Sequence, residues 1–83
     1  MSAHEAYRSA VAAAEEARQR YEALANANIC PEPIAETVEE RIAQYAACRA
    51  EKDKNLPELM AAFVAQSRAL AARDAAFAAL KGN

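Results

Sequence analysis

The 83-residue chain has a single glycine, Gly82, and no tryptophan. With its only glycine near the C-terminal end, it cannot build a glycine-rich loop to cradle phosphate. Histidine is represented by His4 alone, with only Glu5 beside it. A metal site or a nucleophile–base pair needs several convergent partners, so His4 is read as a solvated surface residue. No Ser/His/acid arrangement can be assembled around it. No apolar run approaches the roughly 20 residues that cross a bilayer, and no signal-peptide core follows Met1. Long runs of like charge are also missing. The formal net charge of −2 and a pI near 5.4 do not suit a general nucleic-acid binder, which is usually basic. These absences predict a soluble, cytoplasmic protein that is not an enzyme and needs no cofactor or metal.

Cysteine is scarce too, at Cys30 and Cys48. With Cys30 in a turn and Cys48 in the middle of the following helix, about 15 residues at 1.5 Å each would separate them. That exceeds the roughly 7 Å limit between bridged Cα atoms, so two free thiols in a reducing compartment are expected. Cys30-Pro31-Glu32-Pro33 holds one cysteine, is not a CxxC redox motif, and reads as a rigid loop tip.

What the chain has in abundance is alanine, with 25 residues. Only about 20 larger apolar side chains remain to build a core, fewer than a stable small monomer needs, so self-association or a partner is the natural remedy. The large residues recur at sevens: Tyr7, Ala14, Tyr21 and Asn28 in one series, Leu56, Phe63, Leu70 and Phe77 in another. Such spacing marks helices that pack along one seam, with alanine permitting close approach.

Three helices are predicted within a single domain, 1–83. The first spans about 2–28, starting at Ser2, with Glu5 in capping-box position and stopping at the asparagines near its end. Pro31 and Pro33 then break the chain, and Pro33 suits the first position of a second helix, about 33–54. Glu36, Glu39 and Glu40 near its start and Lys52 and Lys54 at its end suit the helix dipole. That acidic group is read as a solvated helix end, or more sharply as a contact for a basic partner. Asn55-Leu56-Pro57-Glu58 opens a third helix, about 56–81, ended by Gly82. The expected architecture is all-α: an alanine-rich antiparallel helical hairpin or three-helix bundle with coiled-coil-like packing, the short first connection making helices one and two antiparallel neighbours. The second connection is either a tight reversal that completes the bundle or a kink that joins helices two and three into one rod.

Two polar features interrupt the stripes. Gln66 and Arg73 stand seven apart in the third helix, where they set register or sit exposed at the stripe edge. A buried Arg73 would need a carboxylate from Glu15, Glu16 or Glu22. Arg41, Tyr45 and Arg49 recur at fours, with Lys52 extending the line. Either the arginines snorkel beside a packed tyrosine, or the group binds an anion or an acidic partner surface. The functional expectation is therefore a small non-enzymatic protein that works by protein–protein interaction, as adaptor, chaperone-like cofactor or inhibitor. It is expected to associate with itself, through Tyr7, Tyr21, Leu56, Phe63, Leu70 and Phe77, and with an unidentified protein. The alternative is an oligomer holding a small anionic ligand, such as a nucleotide, at subunit junctions through Arg41, Tyr45, Arg49 and Lys52.

Overall fold

A computed structural model describes residues 2–82; Met1 and Asn83, the ends of the expected domain, lie outside the described residues. The described chain is all-helical, with α1 Ala3–Ala27, α2 Val38–Asp53 and α3 Leu56–Lys81 and no strand. Ser2 caps α1 as its sequence suggests, its Oγ accepting from the Glu5 N–H at 3.1 Å. At the other end Asn28 closes the helix, its N–H donating to the carbonyl of Ala25. Its backbone keeps a negative φ, with φ −96° and ψ 4°, rather than turning left-handed.

The junction after α2 does not reverse the chain. Lys54 and Asn55 both keep right-handed helical dihedrals. The Asn55 N–H donates to the carbonyl of Lys52 and the Leu59 N–H donates to that of Asn55, so one tightened turn replaces a loop. Pro57, in the first turn of α3, stands where its missing N–H is tolerated. If collinear, the 44 residues from Val38 to Lys81 would span about 66 Å, and the long axis of the molecule measures 64 Å against 19 and 15 Å across. Helices two and three therefore form one nearly straight rod. The closed three-helix bundle is not formed among the described residues: α1 packs extensively on α3 rather than on α2, because the segment after α1 carries the chain past α2 before it turns back, and α2 has no comparable helix partner there.

Contacts fix the direction of α1. Tyr7 meets Phe77 with ring centroids 5.7 Å apart, and Tyr21 meets Phe63 at 5.6 Å. Early residues of one helix thus meet late residues of the other, and the two run in opposite directions. Between them the most enclosed positions of α3 include Leu59, Ala62, Gln66, Ala69, Arg73, Ala76 and Leu80, alternately three and four apart. Those of α1 include Tyr7, Ala10, Ala14, Ala17, Tyr21 and Leu24 at the same alternation, which the capping Asn28 continues. Ala14, at 3% exposure, and Ala62, at 4%, are the only buried apolar residues among those described. The contact is close but thin, because alanine brings the helices together while offering little area to bury.

The segment between α1 and α2 departs most from expectation. The second helix starts at Val38 rather than near residue 33, because Thr37 caps it: Thr37 Oγ1 accepts from the Glu40 N–H at 3.1 Å. Residues 29–35 are non-helical and run back along α2 as a strap. Ile34 N–H donates to Gln44 Oε1 at 3.1 Å, and Arg41 Nε donates to the carbonyl of Ala35 at 2.7 Å. This return brings Cys30 onto Cys48, with Cα atoms 6.0 Å apart and the two bridged by a disulfide. The expectation of two free thiols is thereby overturned. A helix starting at Pro33 would hold the two cysteines apart, whereas about 23–26 Å of extended chain before Val38 doubles back over the roughly 15 Å of helix between Val38 and Cys48. Stable disulfides belong to oxidising surroundings, so cysteine usage no longer points to the cytoplasm.

Candidate functional site

The line Arg41, Tyr45, Arg49 and Lys52 lies on α2, and the structure gives three of its four members intramolecular partners. Arg41 holds the strap carbonyl of Ala35, with a longer contact to that of Glu36 at 3.5 Å. Arg49 donates through Nη1 to the carbonyl of Asn28 at 3.0 Å and pairs through Nη2 with Asp53, also at 3.0 Å. Lys52 Nζ donates to the carbonyl of Ala27 at 2.6 Å. The last turn of α1 contains no basic residue of its own, and α2 supplies the two cations that meet its terminal carbonyls and dipole. Tyr45 is half-exposed and unstacked among the described ring contacts. The missing signal was therefore legible in part: a long helix ending in Asn-Ala-Asn without a cation of its own needs a donor from elsewhere.

Charge on α1 is organised around Arg18, which pairs with Glu15 and, at 2.7 Å, with Glu22. The hydrogen bond from Arg18, followed by that from Gln19, holds the Glu15 carboxyl below its ordinary value. Glu15 and then Glu22, accepting from Arg18, push its guanidinium upward. This trio faces solvent. Arg73 does not use Glu15, Glu16 or Glu22; it pairs with its neighbour Asp74 at 3.3 Å and stays partly exposed. Glu39 and Glu40 occupy the first turn of α2 as expected, and Glu36 precedes the cap.

The larger feature is apolar and uncovered. Ile34 is 88% exposed and Ile42 65%, and Ile29, Val38, Tyr45, Leu56, Met60, Phe63 and Phe77 are exposed as well. On α3 the row Leu56, Phe63, Leu70 and Phe77 is not the innermost one. It flanks the alanine-lined seam, where Phe63 and Phe77 lean on Tyr21 and Tyr7 and stay half-exposed, the Phe77 ring also carrying Lys81 Nζ 5.3 Å from its centroid. The same seven-residue spacing runs backward through Arg49 to Ile42 in α2. Because the junction keeps helical dihedrals, this row follows the rod for about 52 Å, winding slowly by about 20° per heptad as a supercoiling partner would follow it.

Among the described residues there is no cavity and no group of three or more His, Cys, Asp or Glu placed to hold a metal. No described helix is long and apolar enough to cross a membrane. No family model matches the chain, and comparison with curated proteins and with solved structures found no match.

Proposed function

We propose that this protein acts by helix-on-helix protein–protein interaction, as a non-enzymatic adaptor, chaperone-like cofactor or inhibitor, and that its long apolar side is the working surface. In this reading α1 and α3 form an antiparallel hairpin with coiled-coil-like packing, which serves mainly to present that side. The observation that carries the proposal is an excess of surface. The chain exposes 6158 Å² at a mass of 8.9 kDa, where a compact monomer of that mass would expose about 4,800 Å². Its radius of gyration is 19.3 Å, against about 12 Å for a compact domain of this length. No large side chain is fully buried among the described residues. The surplus is of the order of one protein–protein interface, about 800 Å² per partner, and exposed apolar patches of this continuity mark interaction sites.

The test is photo-crosslinking in the living host, with a benzophenone side chain at Ile42 on the apolar side and, as control, at Glu16 on the solvent face of α1. A discrete protein adduct at position 42 and none at 16, including an adduct with a second copy, supports the reading. Equal or absent labelling at both positions overturns it.

A further inference from the structure

We infer that the occupant of the apolar side is a second copy of this chain laid antiparallel, its α2 end against the free end of the first copy's α1 and α3. This deepens the interaction reading above and rests on it. Three observations choose the occupant and its direction.

The first is register. The heptad row Ile42, Arg49, Leu56, Phe63, Leu70 and Phe77 is centred midway between Leu59 and Met60. The rod from Val38 to Lys81 has the same midpoint. A two-fold axis there superposes the row on itself in reverse. Ile42 then meets Phe77 of the second copy, and Leu56 meets its Phe63. Arg49 falls opposite Leu70, but its guanidinium is already turned to the carbonyl of Asn28, leaving its methylene stem for the contact. An isologous interface requires this self-complementarity.

The second is charge. The α2 end carries Glu32, Glu36, Glu39 and Glu40 against Arg41 alone, three carboxylates in excess. The opposite end carries Arg8, Arg73 and Lys81 against Glu5 and Asp74, one cation in excess. Antiparallel copies bring these ends together, whereas parallel copies would set the acidic ends side by side, and like-charge juxtaposition disfavours that pairing.

The third is extent. The row is about 52 Å long on a body 64 Å long, so a compact partner would cover only part of it. A second rod of equal length and equal heptad spacing covers all of it, and each chain's surplus surface exceeds the ~800 Å² that a standard interface takes from one partner.

The experiment uses the full chain with its disulfide intact. Equal amounts of ¹⁴N- and ¹⁵N-labelled protein, with p-benzoylphenylalanine in place of Phe77, are mixed and irradiated, and mixed-isotope adducts are mapped by mass spectrometry. Adducts on residues 38–46 are expected. Adducts on residues 73–81 would overturn the antiparallel arrangement while leaving the interaction reading intact. A monomer at every concentration by sedimentation, with helicity retained, would overturn the second copy as occupant; the crosslinking in the host then judges the broader reading separately. As a second measurement, Ile42→Lys and Phe77→Glu should each weaken dimerisation by about tenfold or more, and together restore it to within about threefold. Failure of the pair to restore it, with each single variant folded, counts against the register.

Discussion

Lys52 Nζ sits 2.6 Å from the carbonyl of Ala27, so a cation near the end of α2 closes the end of α1. Together with Arg49 on the carbonyl of Asn28, it anchors the point where the chain leaves the paired helices and turns back along α2. Replacing Lys52 with methionine keeps the stem and removes the charge. Urea denaturation should show a loss of about 0.5–1 kcal/mol, the range for a cation at a helix C-terminus. Arg49→Met should cost more, about 1–2 kcal/mol, because its partner carbonyl belongs to a residue that is only 8% exposed.

Among the described residues, Tyr21 and Phe63 form one of two Tyr–Phe ring pairs in contact between α1 and α3. Truncating either to alanine is expected to cost about 2–3 kcal/mol, toward the low end for aromatic residues because Phe63 stays half-exposed. A double-mutant cycle over Tyr21→Ala and Phe63→Ala should give a coupling of about 0.5–1.5 kcal/mol. Absence of coupling would mean that the rings merely lie near one another. The measurement should be made at several protein concentrations, since association adds to apparent stability.

The helices were largely legible in the sequence because their signals are local. Ser2 with Glu5, the absence of glycine and proline through residue 28, and Pro57 in a first turn each act within one or two turns of chain. Thr37 with Glu40 was an equally local signal, but Pro33 offered a competing start, and only the strap's return shows why Thr37 prevails. What could not be read locally was direction. Whether Lys54 and Asn55 reverse or continue the chain depends on the dihedral angles of two residues, and both outcomes satisfy the same hydrophobic pattern. The pairing of Cys30 with Cys48 follows from the strap's return path rather than from their spacing. Of the candidate site residues, Arg41, Arg49 and Lys52 donate to backbone carbonyls; the cation-free end of α1 signals the need for such donors, but nothing in the sequence names which residues supply them.

Glu15 gives α1 a small acid-sensitive element. Hydrogen bonds from Arg18 and then Gln19 favour its charged form, so its folded pKa lies below the ordinary 4.5. A carboxyl depressed in the folded state contributes stability that is present above its unfolded value and is lost as pH falls through the folded one. Helicity followed by circular dichroism should therefore decline as pH drops below about 4.5 toward 2, and Glu15→Gln should flatten part of that decline. An unchanged titration in the variant would show that this exposed group contributes nothing measurable.

Asn28 continues the row Tyr7, Ala14 and Tyr21, and its Oδ1 is buried without a hydrogen-bond partner. A buried acceptor left unsatisfied costs about 1–3 kcal/mol. Asn28→Leu, of similar size, should leave stability unchanged or raise it by about 1 kcal/mol in thermal or urea unfolding. Asn28→Asp should lower it at neutral pH, because it buries a charge at the negative end of α1. Loss of stability in the leucine variant would instead show that the amide is satisfied in solution, by water or by its partner surface.

The Cys30–Cys48 bridge makes the strongest prediction about uneven stability. α2 has 16 residues and no extensive helix partner, little above the length of about 12–15 residues below which isolated helices are marginal in water. Its neighbour is the strap, and the bridge holds that strap in place across a sequence separation of 18 residues. Closing a loop of this size is worth about 3 kcal/mol through restriction of the unfolded chain. Reduction should release the strap first, taking with it the hydrogen bonds that Gln44 accepts from Ile34 and that Arg41 donates to Ala35. Hydrogen exchange after reduction should accelerate across 38–53 by more than across 59–80, where the pairing with α1 remains. Uniform acceleration along the chain would mean that α2 and the paired helices unfold as one unit, and unchanged exchange in α2 would mean that the strap's hydrogen bonds suffice without the bridge.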